Sequence, residues 1–190
     1  MEIARKCILN STPYIAGKPI EETKRELGLK EVIKLASNEN PLGPSPKALK
    51  AMRKAVENVN RYPDSNSFYL KRKLALAAGF TSDHFVLGNG SDELIDIIIK
   101  AFVEPDENIV TSEVTFLEYE ILAGACGRAV KKTPLVDFRY DLAGMAKLVD
   151  EKTKLVFIAN PNNPTGTYVT KKELSEFING LPSSCICVLD

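Results

Sequence analysis

From about residue 84 onward, short apolar runs alternate with stretches in which apolar residues recur every three or four positions. The short runs predict buried strands, and the helical spacing predicts amphipathic helices. We expect strands over residues 85–87, 108–111, 129–133, 154–159 and 185–189. We expect helices over residues 91–102, 116–125, 141–149 and 170–178. Strands that alternate with helices predict an α/β fold, in which a mainly parallel sheet carries helices on both faces.

Two details of these helices can be predicted from their side chains. Asp141 and Thr170 stand where N-caps are expected, because their side-chain oxygens can accept the free N–H groups of a first helical turn. In the helix over 91–102 we expect one apolar face to point toward the core: Leu94, Ile97, Ile98 and Ala101.

The first part of the chain follows a different pattern. Residues 1–35 predict an N-terminal arm with one short charged helix, and residues 34–46 (KLASNENPLGPSP) predict an irregular loop because they are dense in Asn, Pro and Gly. Ser45 and Pro46 then predict the start of a helix. After the break at NRYPD, a second helix is expected over 67–78, ending at Gly79.

Composition and charge exclude several classes of protein. With 44% hydrophobic residues the chain can bury a sizeable core, which argues against disorder. The 25 basic residues balance the 25 acidic ones and form no basic stripe, so we expect no nucleic-acid partner. The longest apolar runs fall far below the ~20 residues that span a bilayer, and the N-terminus does not resemble a signal peptide. We therefore expect a cytoplasmic protein with no membrane partner.

The cysteines predict neither a disulfide framework nor a metal site. Cys185 and Cys187 form a C-x-C pair in an apolar run, which is not zinc-ligand spacing, and His84 is the sole histidine. We interpret these two cysteines, with Cys7 and Cys126, as reduced and mostly buried thiols.

One candidate site lies at Gly88-Asn89-Gly90-Ser91-Asp92-Glu93, which joins a predicted strand to a predicted helix. Glycines allow a tight turn, and the free N–H groups of a helix N-terminus attract an anion such as phosphate. An ordinary glycine turn with Ser91 as N-cap explains the segment equally well. A dinucleotide-binding turn is a further alternative, although Glu93 stands where that fingerprint needs a small residue.

Other candidate residues follow the predicted strands. The loop Asn160-Pro161-Asn162-Asn163-Pro164-Thr165-Gly166 presents amide side chains at the carboxyl end of a strand. Asp190 ends the last strand, where a carboxylate can hold a cation or keep a heterocyclic nitrogen protonated. Phe116 and Tyr119 follow another strand and either pack in the core or stack on a flat ring.

These motifs together resemble one family from about Thr12 to Asp190. The sequence ANPNNPTG after a strand resembles the signature loop of fold-type I aminotransferases that use pyridoxal 5'-phosphate (PLP), and NGSDE resembles their phosphate-binding turn. KLASNENPLGPSP followed by NRYPD is similar to the histidinol-phosphate aminotransferases within that family. The resemblance implies the α/β fold of the fold-type I PLP-dependent transferase large domain, truncated here. It implies residues 1–35 as an arm with part of a small domain, and residues 36–190 as an incomplete PLP-binding large domain.

The resemblance also implies roles for individual residues. Gly90, Ser91 and Asp92 would hold the cofactor phosphate, Phe116 would stack on the pyridine ring, and Asn163 would hydrogen-bond its phenolic oxygen. Asp190 would act in catalysis by pairing with the pyridine nitrogen. Tyr62 would reach the phosphate in the neighbouring subunit of a homodimer, and Tyr14 and Asn38 would line the substrate pocket.

The family's Schiff-base lysine lies downstream of this aspartate, so it is absent from the chain, and no lysine present matches its motif. In the family, two later strands separate the first strand of the sheet from the strand that ends in the aspartate. We therefore expect residues 85–87 to lose their sheet neighbours and residues 185–189 to form a bare apolar edge. The chain alone is expected to fold poorly, aggregate and lack activity.

The implied reaction moves an amino group between glutamate and imidazole-acetol phosphate, giving 2-oxoglutarate and histidinol phosphate, in histidine biosynthesis. Two relatives of the same fold remain open as alternatives: a threonine-phosphate decarboxylase and an aromatic aminotransferase. A non-catalytic module that binds a phosphate-bearing ligand at residues 90–92 is the alternative from another class. No metal site is expected.

Overall fold

The computed structural model describes residues 3–9, 13–14 and 17–190. Its helices are α1 (Lys6–Leu9), α2 (Ile20–Leu27), α3 (Pro46–Ala55), α4 (Phe68–Ala78), α5 (Gly90–Phe102), α6 (Glu118–Ala125), α7 (Leu142–Leu148) and α8 (Lys171–Asn179). Its strands are β1 (Asn108–Ser112), β2 (Ala129–Thr133), β3 (Leu135–Val136), β4 (Arg139–Tyr140), β5 (Thr153–Ile158) and β6 (Ile186–Leu189). The chain divides into two compact units: residues up to 14 together with 88–190, and residues 15–87. The predicted boundary at residue 35 between arm and large domain stays a prediction.

The first unit is built on a parallel sheet with strand order β2-β1-β5-β6. Every residue of β1 is buried, and so is nearly all of β5. Central strands of a parallel sheet are buried on both faces because helices cover both sides. The separate hairpin of β3 and β4 is antiparallel. The predicted α/β architecture is confirmed.

Two apolar clusters form the core, one on each face of the sheet. One lies between the sheet and the helices α5 and α6 and includes Ile99, Tyr119 and Phe157. The other lies against α7 and α8 and includes Met145 and Phe177. Because side chains alternate along a strand, successive residues of β5 supply the two clusters in turn.

The two predicted N-caps are confirmed. The Asp141 carboxylate accepts a hydrogen bond from the backbone N–H of Gly144 at 2.9 Å. Thr170 and Glu173 form a reciprocal capping box, in which each side chain accepts from the other residue's backbone N–H. These caps set where α7 and α8 begin.

Two predictions about the region before β1 are wrong. Residues 85–87 form no strand: Phe85 has extended backbone angles, but none of the described strands pairs with this segment. A strand needs a partner for its N–H and C=O groups, and the expected loss of sheet neighbours is the physical reason. In α5 the buried residues are Ile95 and Ile99, whereas Ile97 is 39% exposed.

The remaining residues of the predicted inward face of α5 differ as well. Leu94 and Ile98 are half-buried, and Ala101 is exposed. The two residues that pack on the sheet, Ile95 and Ile99, each lie one position after a predicted one. Five of the seven residues from Leu94 to Lys100 are apolar, so two different faces of the helix fit the hydrophobic pattern. The helix predicted over 116–125 begins at Glu118 rather than at Phe116.

Strand β6 lies at one edge of the described sheet and pairs only with β5 within it. Its residues Ile186 and Leu189 are 39% and 52% exposed. The predicted bare apolar edge is therefore confirmed. Such edges are sites of pairing with other strands.

The second unit, residues 15–87, carries α2, α3 and α4. Residues 28–45 contain no helix or strand and include most of the loop predicted over 34–46, in which Ser37 and Asn38 have positive φ angles. Helix α3 begins at Pro46 as predicted, although the Ser45 side chain forms no capping hydrogen bond. Helix α4 ends at Gly79, whose φ of 73° places it in the left-handed region as expected of a terminating glycine. None of the described helices is long and apolar enough to cross a membrane.

Candidate active site

The carboxyl ends of three adjacent parallel strands meet on one side of the sheet. Phe116 follows β1, Asn163 follows β5 and Asp190 follows β6. With Ser91 at the start of α5, these side chains line a cavity of about 250 Å³, which Ala159 and Pro161 complete. Ligands of open α/β sheets bind at this position, outside the carboxyl ends of the strands.

The turn before α5 presents a helix N-terminus to this cavity. Gly90 begins the helix with a φ of 85°, a conformation that only glycine adopts without strain. The Glu93 side chain folds back and accepts a hydrogen bond from the backbone N–H of Asn89. This carboxylate occupies the position where a dinucleotide fingerprint requires a small residue, which disfavours that alternative.

The two adjacent asparagines of the loop after β5 have different environments. Asn162 is 2% exposed, and its side-chain amide donates to the Val114 carbonyl at 3.1 Å and to the Thr165 hydroxyl at 2.9 Å. The bond to Val114 ties the loop to the segment that carries Phe116, and the bond to Thr165 closes the loop on itself. Asn163 is exposed and lines the cavity. The loop therefore uses Asn162 to fix its shape and leaves the amide of Asn163 free to face a ligand.

Asp190 is held by its backbone and by its side chain. Its N–H donates to the Ile158 carbonyl at 3.0 Å, and its carbonyl accepts from the Asn160 N–H at 2.9 Å, so the ladder between β5 and β6 extends through it. The hydroxyl of Tyr119 donates to its Oδ2 at 2.7 Å. Tyr119 is fully buried and stacks on Phe157 with ring centroids 4.6 Å apart. The carboxylate consequently has a fixed place at the edge of the cavity.

A second buried tyrosine supports the cavity wall. The Tyr140 hydroxyl accepts a hydrogen bond from the backbone N–H of Ala159 at 3.0 Å and forms another hydrogen bond with the Thr115 hydroxyl. Ala159 directly follows β5 and Thr115 precedes Phe116, so one hydroxyl connects two walls of the site.

A second cavity of about 290 Å³ adjoins the first, since Phe116 and Asn163 line both. Tyr14 and Glu113 are among its other lining residues. Tyr14, one of the residues predicted to contact substrate, therefore lies next to the residues predicted to bind the cofactor.

The structure brings together four of the predicted cofactor residues: Ser91, Phe116, Asn163 and Asp190. Asp92 is exposed in the first turn of α5 and does not line the cavity. Asn38 and Tyr62 belong to the other unit, and their roles stay predictions.

Sequence reasoning missed the supporting residues Tyr140 and Asn162, and it left Tyr119 open between core packing and ring stacking. The one available signal is weak: a tyrosine close in sequence to a buried strand is expected to be buried itself, and a buried tyrosine hydroxyl usually forms a hydrogen bond.

The charges around the site are acidic rather than basic. Glu118 is 8% exposed, and burial, together with the nearby Asp92 carboxylate, raises the pKa of its carboxyl. None of the residues lining the 250 Å³ cavity is a lysine or an arginine. An anion in this part of the site would therefore depend on backbone N–H groups and the dipole of α5.

The chemistry of the lining residues matches PLP. That cofactor combines a phosphate, a flat aromatic ring, a ring nitrogen and a phenolic oxygen. The cavity combines a helix N-terminus with a hydroxyl, an aromatic side chain, a carboxylate and an amide. The fold and the site together define a parallel α/β protein with a candidate ligand site at the strand ends. The described residues contain no cluster of three potential metal ligands.

Comparison with known proteins identifies the family. The family model described as "Aminotransferase class I and II" matches residues 30–190. The chain belongs to this family.

Two curated relatives are especially similar to the chain. It is 47% identical over 186 residues to the histidinol-phosphate aminotransferase of Moorella thermoacetica, covering 98% of this chain and 48% of the relative. It is 46% identical over 188 residues to histidinol-phosphate aminotransferase 2 of Carboxydothermus hydrogenoformans, covering 99% of this chain and 52% of the relative. The chain thus spans about half the length of the curated relatives it matches.

A solved structure confirms the fold class. The histidinol-phosphate aminotransferase of Sinorhizobium meliloti, crystallised in complex with pyridoxal-5'-phosphate, matches all of this chain with a TM-score of 0.89 and 28% identity. The match covers 51% of that protein. The fold is therefore that of the fold-type I large domain, and this chain contains part of it.

Proposed function

We propose that this chain forms the cofactor-binding part of a PLP-dependent histidinol-phosphate aminotransferase, a cytoplasmic enzyme of histidine biosynthesis. The enzyme would transfer an amino group between glutamate and imidazole-acetol phosphate. The observation that carries the proposal is the convergence of Ser91, Phe116, Asn163 and Asp190 on one cavity at the strand ends. The names of the relatives support the choice of substrate.

Each residue of the cavity has a role that its chemistry allows. Ser91 and the free N–H groups at the start of α5, including that of Asp92, would hold the cofactor phosphate. Phe116 would pack against the ring, and Asn163 would donate to its phenolic oxygen. Asp190 would accept a hydrogen bond from the ring nitrogen and hold the proton there. When bound, PLP supplies an electron-withdrawing ring that takes up the electrons of the substrate's broken Cα–H bond.

The remaining roles involve residues outside this cavity. Tyr14 and Asn38 would contact the substrate, and Tyr62 would reach the phosphate of the neighbouring subunit in a homodimer. Tyr62 is fully exposed in the described chain, which is compatible with such a contact. The homodimer rests on the resemblance to the family.

The lysine that binds the cofactor covalently in this family has no counterpart in the described cavity. We therefore expect the 190-residue chain to show no turnover by itself. The intact mass of the natural protein in its source cells tests this interpretation. A mass near twice that of the chain would agree with the half-length coverage of the relatives, whereas a mass equal to that of the chain would favour a non-catalytic binding module.

The decisive experiment uses the natural full-length product. PLP binding is followed by absorbance, and turnover is measured with histidinol phosphate and 2-oxoglutarate. An aromatic amino acid and threonine phosphate serve as competing substrates, because they separate the two alternatives of the same fold. Failure to bind PLP would refute the proposal, and turnover of another substrate alone would refute its specificity.

A matched pair of variants tests the site itself. Asp190→Asn keeps the shape of the side chain and removes its charge, so we expect kcat to fall at least about a hundredfold. Asp106→Asn makes the same chemical change at an exposed position outside the cavity and is expected to preserve kcat. Equal activity of the two variants would show that Asp190 has no part in the reaction.

A further inference from the structure

The carboxylate of Asp190 has a buried partner outside the set of residues expected to bind the cofactor. The Tyr119 hydroxyl lies 2.7 Å from Oδ2 of Asp190, although the two residues are 71 positions apart in the sequence. Tyr119 is inaccessible to solvent. Its ring stacks on Phe157 and meets Phe116 edge-on at 5.6 Å between centroids. Packing on both sides fixes the hydroxyl in place.

The direction of this hydrogen bond follows from the surroundings. Burial raises the pKa of Tyr119 far above its usual value, and the adjacent Asp190 carboxylate raises it further, so the hydroxyl keeps its proton and donates it. Within the described chain, no second side chain donates to Asp190. The other carboxylate oxygen, Oδ1, therefore remains available at a residue that lines the cavity.

We propose that Tyr119 is a positioning residue that sets the orientation of the Asp190 carboxylate for a pyridine nitrogen in the cavity. By holding Oδ2, it leaves Oδ1 to accept the ring N–H. With Oδ2 occupied by the Tyr119 hydroxyl, Oδ1 would be held where it can bond the ring N–H and keep that proton on the ring nitrogen. This inference rests on the proposed function.

Through its contact with Phe116, Tyr119 would also help to position the pyridine ring of the cofactor. Phe116 lines the cavity and is expected to pack against the cofactor, and the Tyr119 ring packs against Phe116 at a nearly perpendicular angle of 88°. One buried residue thus contacts both groups that would hold the ring, the aromatic side chain and the carboxylate.

The test uses the full-length protein loaded with PLP that carries ¹⁵N in its ring, because the ¹⁵N chemical shift reports whether that nitrogen is protonated. Tyr119→Phe keeps the stacking and removes the donor. We expect its ¹⁵N resonance to move toward the value of neutral pyridine and kcat to fall about tenfold, with KM for the amino donor nearly unchanged. Tyr168→Phe removes an exposed hydroxyl in the same unit and should leave the resonance in place.

A second variant keeps the proposal testable where the phenylalanine variant fails to fold. Tyr119→fluorotyrosine, with fluorine beside the hydroxyl, preserves the packing and makes the phenol a stronger donor. We expect the ¹⁵N resonance to move in the direction opposite to that of Tyr119→Phe. Wild-type resonances in both folded variants would overturn the role of Tyr119 and leave the proposed function intact. A wild-type protein that binds no PLP would instead refute the proposed function.

Discussion

Removing the Tyr140 hydroxyl is a direct test of how the cavity wall is supported. The hydroxyl accepts from the Ala159 N–H at 3.0 Å and pairs with the Thr115 hydroxyl. All three residues are buried, with exposed fractions of 6%, 4% and 6% for Tyr140, Ala159 and Thr115. Tyr140→Phe keeps the ring and its packing, so the change isolates one oxygen atom.

The magnitude follows from the groups that lose their partner. In the described chain the Tyr140 oxygen is the acceptor of the Ala159 N–H, and a buried donor without an acceptor costs about 1–3 kcal/mol. A cost of about 2 kcal/mol corresponds to about a thirtyfold change in an equilibrium constant. We therefore expect about thirtyfold faster amide exchange in the peptide that contains Ala159, measured by hydrogen exchange on the full-length protein. The midpoint of urea unfolding should fall as well.

Two further variants determine whether the reasoning holds. Tyr168→Phe removes a hydroxyl that forms no hydrogen bond within the described residues, and it should exchange like the wild type. Thr115→Val combined with Tyr140→Phe should cost less than the sum of the single changes, because the paired groups are removed together. Unchanged exchange at Ala159 in Tyr140→Phe would refute the argument.

Further predictions concern the rest of the scaffold. Thr170→Ala should lower stability by about 1 kcal/mol, measured by urea unfolding, because it removes a capping box; Ser45→Ala, at a position whose side chain forms no capping bond, should have little effect. Glu118→Gln should raise the urea midpoint at pH 7, because burial raises the pKa of this carboxyl and makes its ionised form costly; the gain should disappear below about pH 4.5, where the carboxyl is protonated in both states. Asp150→Asn should lower the midpoint at neutral pH, since hydrogen bonds, the one from Lys131 first, hold the pKa of Asp150 well below its usual value; the difference should narrow as the pH falls below about 3.8. A Glu118→Gln midpoint that stays raised at low pH, or an Asp150→Asn difference independent of pH, would contradict these assignments.

Features that depend on neighbouring residues could be predicted from the sequence. Thr170 and Asp141 cap helices because their side chains reach N–H groups only three residues away. Gly79 ends α4 because glycine, which has no Cβ, adopts the left-handed conformation without strain. In each case the interacting groups lie within one helical turn of each other, so the local sequence is sufficient to predict the feature.

Features that depend on distant contacts could not be predicted in this way. Residues 85–87 have the composition of a strand, but a strand exists only where another strand pairs with it. The apolar residues of α5 occupy so many positions that two faces satisfy the helical period. Contact with the sheet selects Ile95 and Ile99, and nothing in the local sequence records that choice.

The same distinction applies to the site. The position of Asn163 and Asp190 at the cavity could be predicted, because strand ends are where α/β folds place functional groups, whereas their roles stay predictions. The resemblance assigned the ligand-facing role to Asn163. The structure agrees with a division of roles between the two neighbours, because Asn162 is buried and hydrogen-bonded within the protein. The partner of Asp190 could not be predicted, because Tyr119 is 71 residues away and its hydroxyl has meaning only once α6 has packed on the sheet.

The cavity therefore depends on buried side chains that do not line it themselves. Tyr119 holds the carboxylate at the end of β6, Tyr140 holds the backbone at the end of β5, and Asn162 holds the loop beyond it. Each of these bonds joins segments that the sequence separates but the parallel sheet brings together. Because β6 is an edge strand with a single partner in the described sheet, the bond from Tyr119 is a tertiary constraint on Asp190 in addition to the ladder with β5. The position of the candidate catalytic aspartate is thus set by packing on the α5–α6 face of the sheet in addition to the strand that carries it.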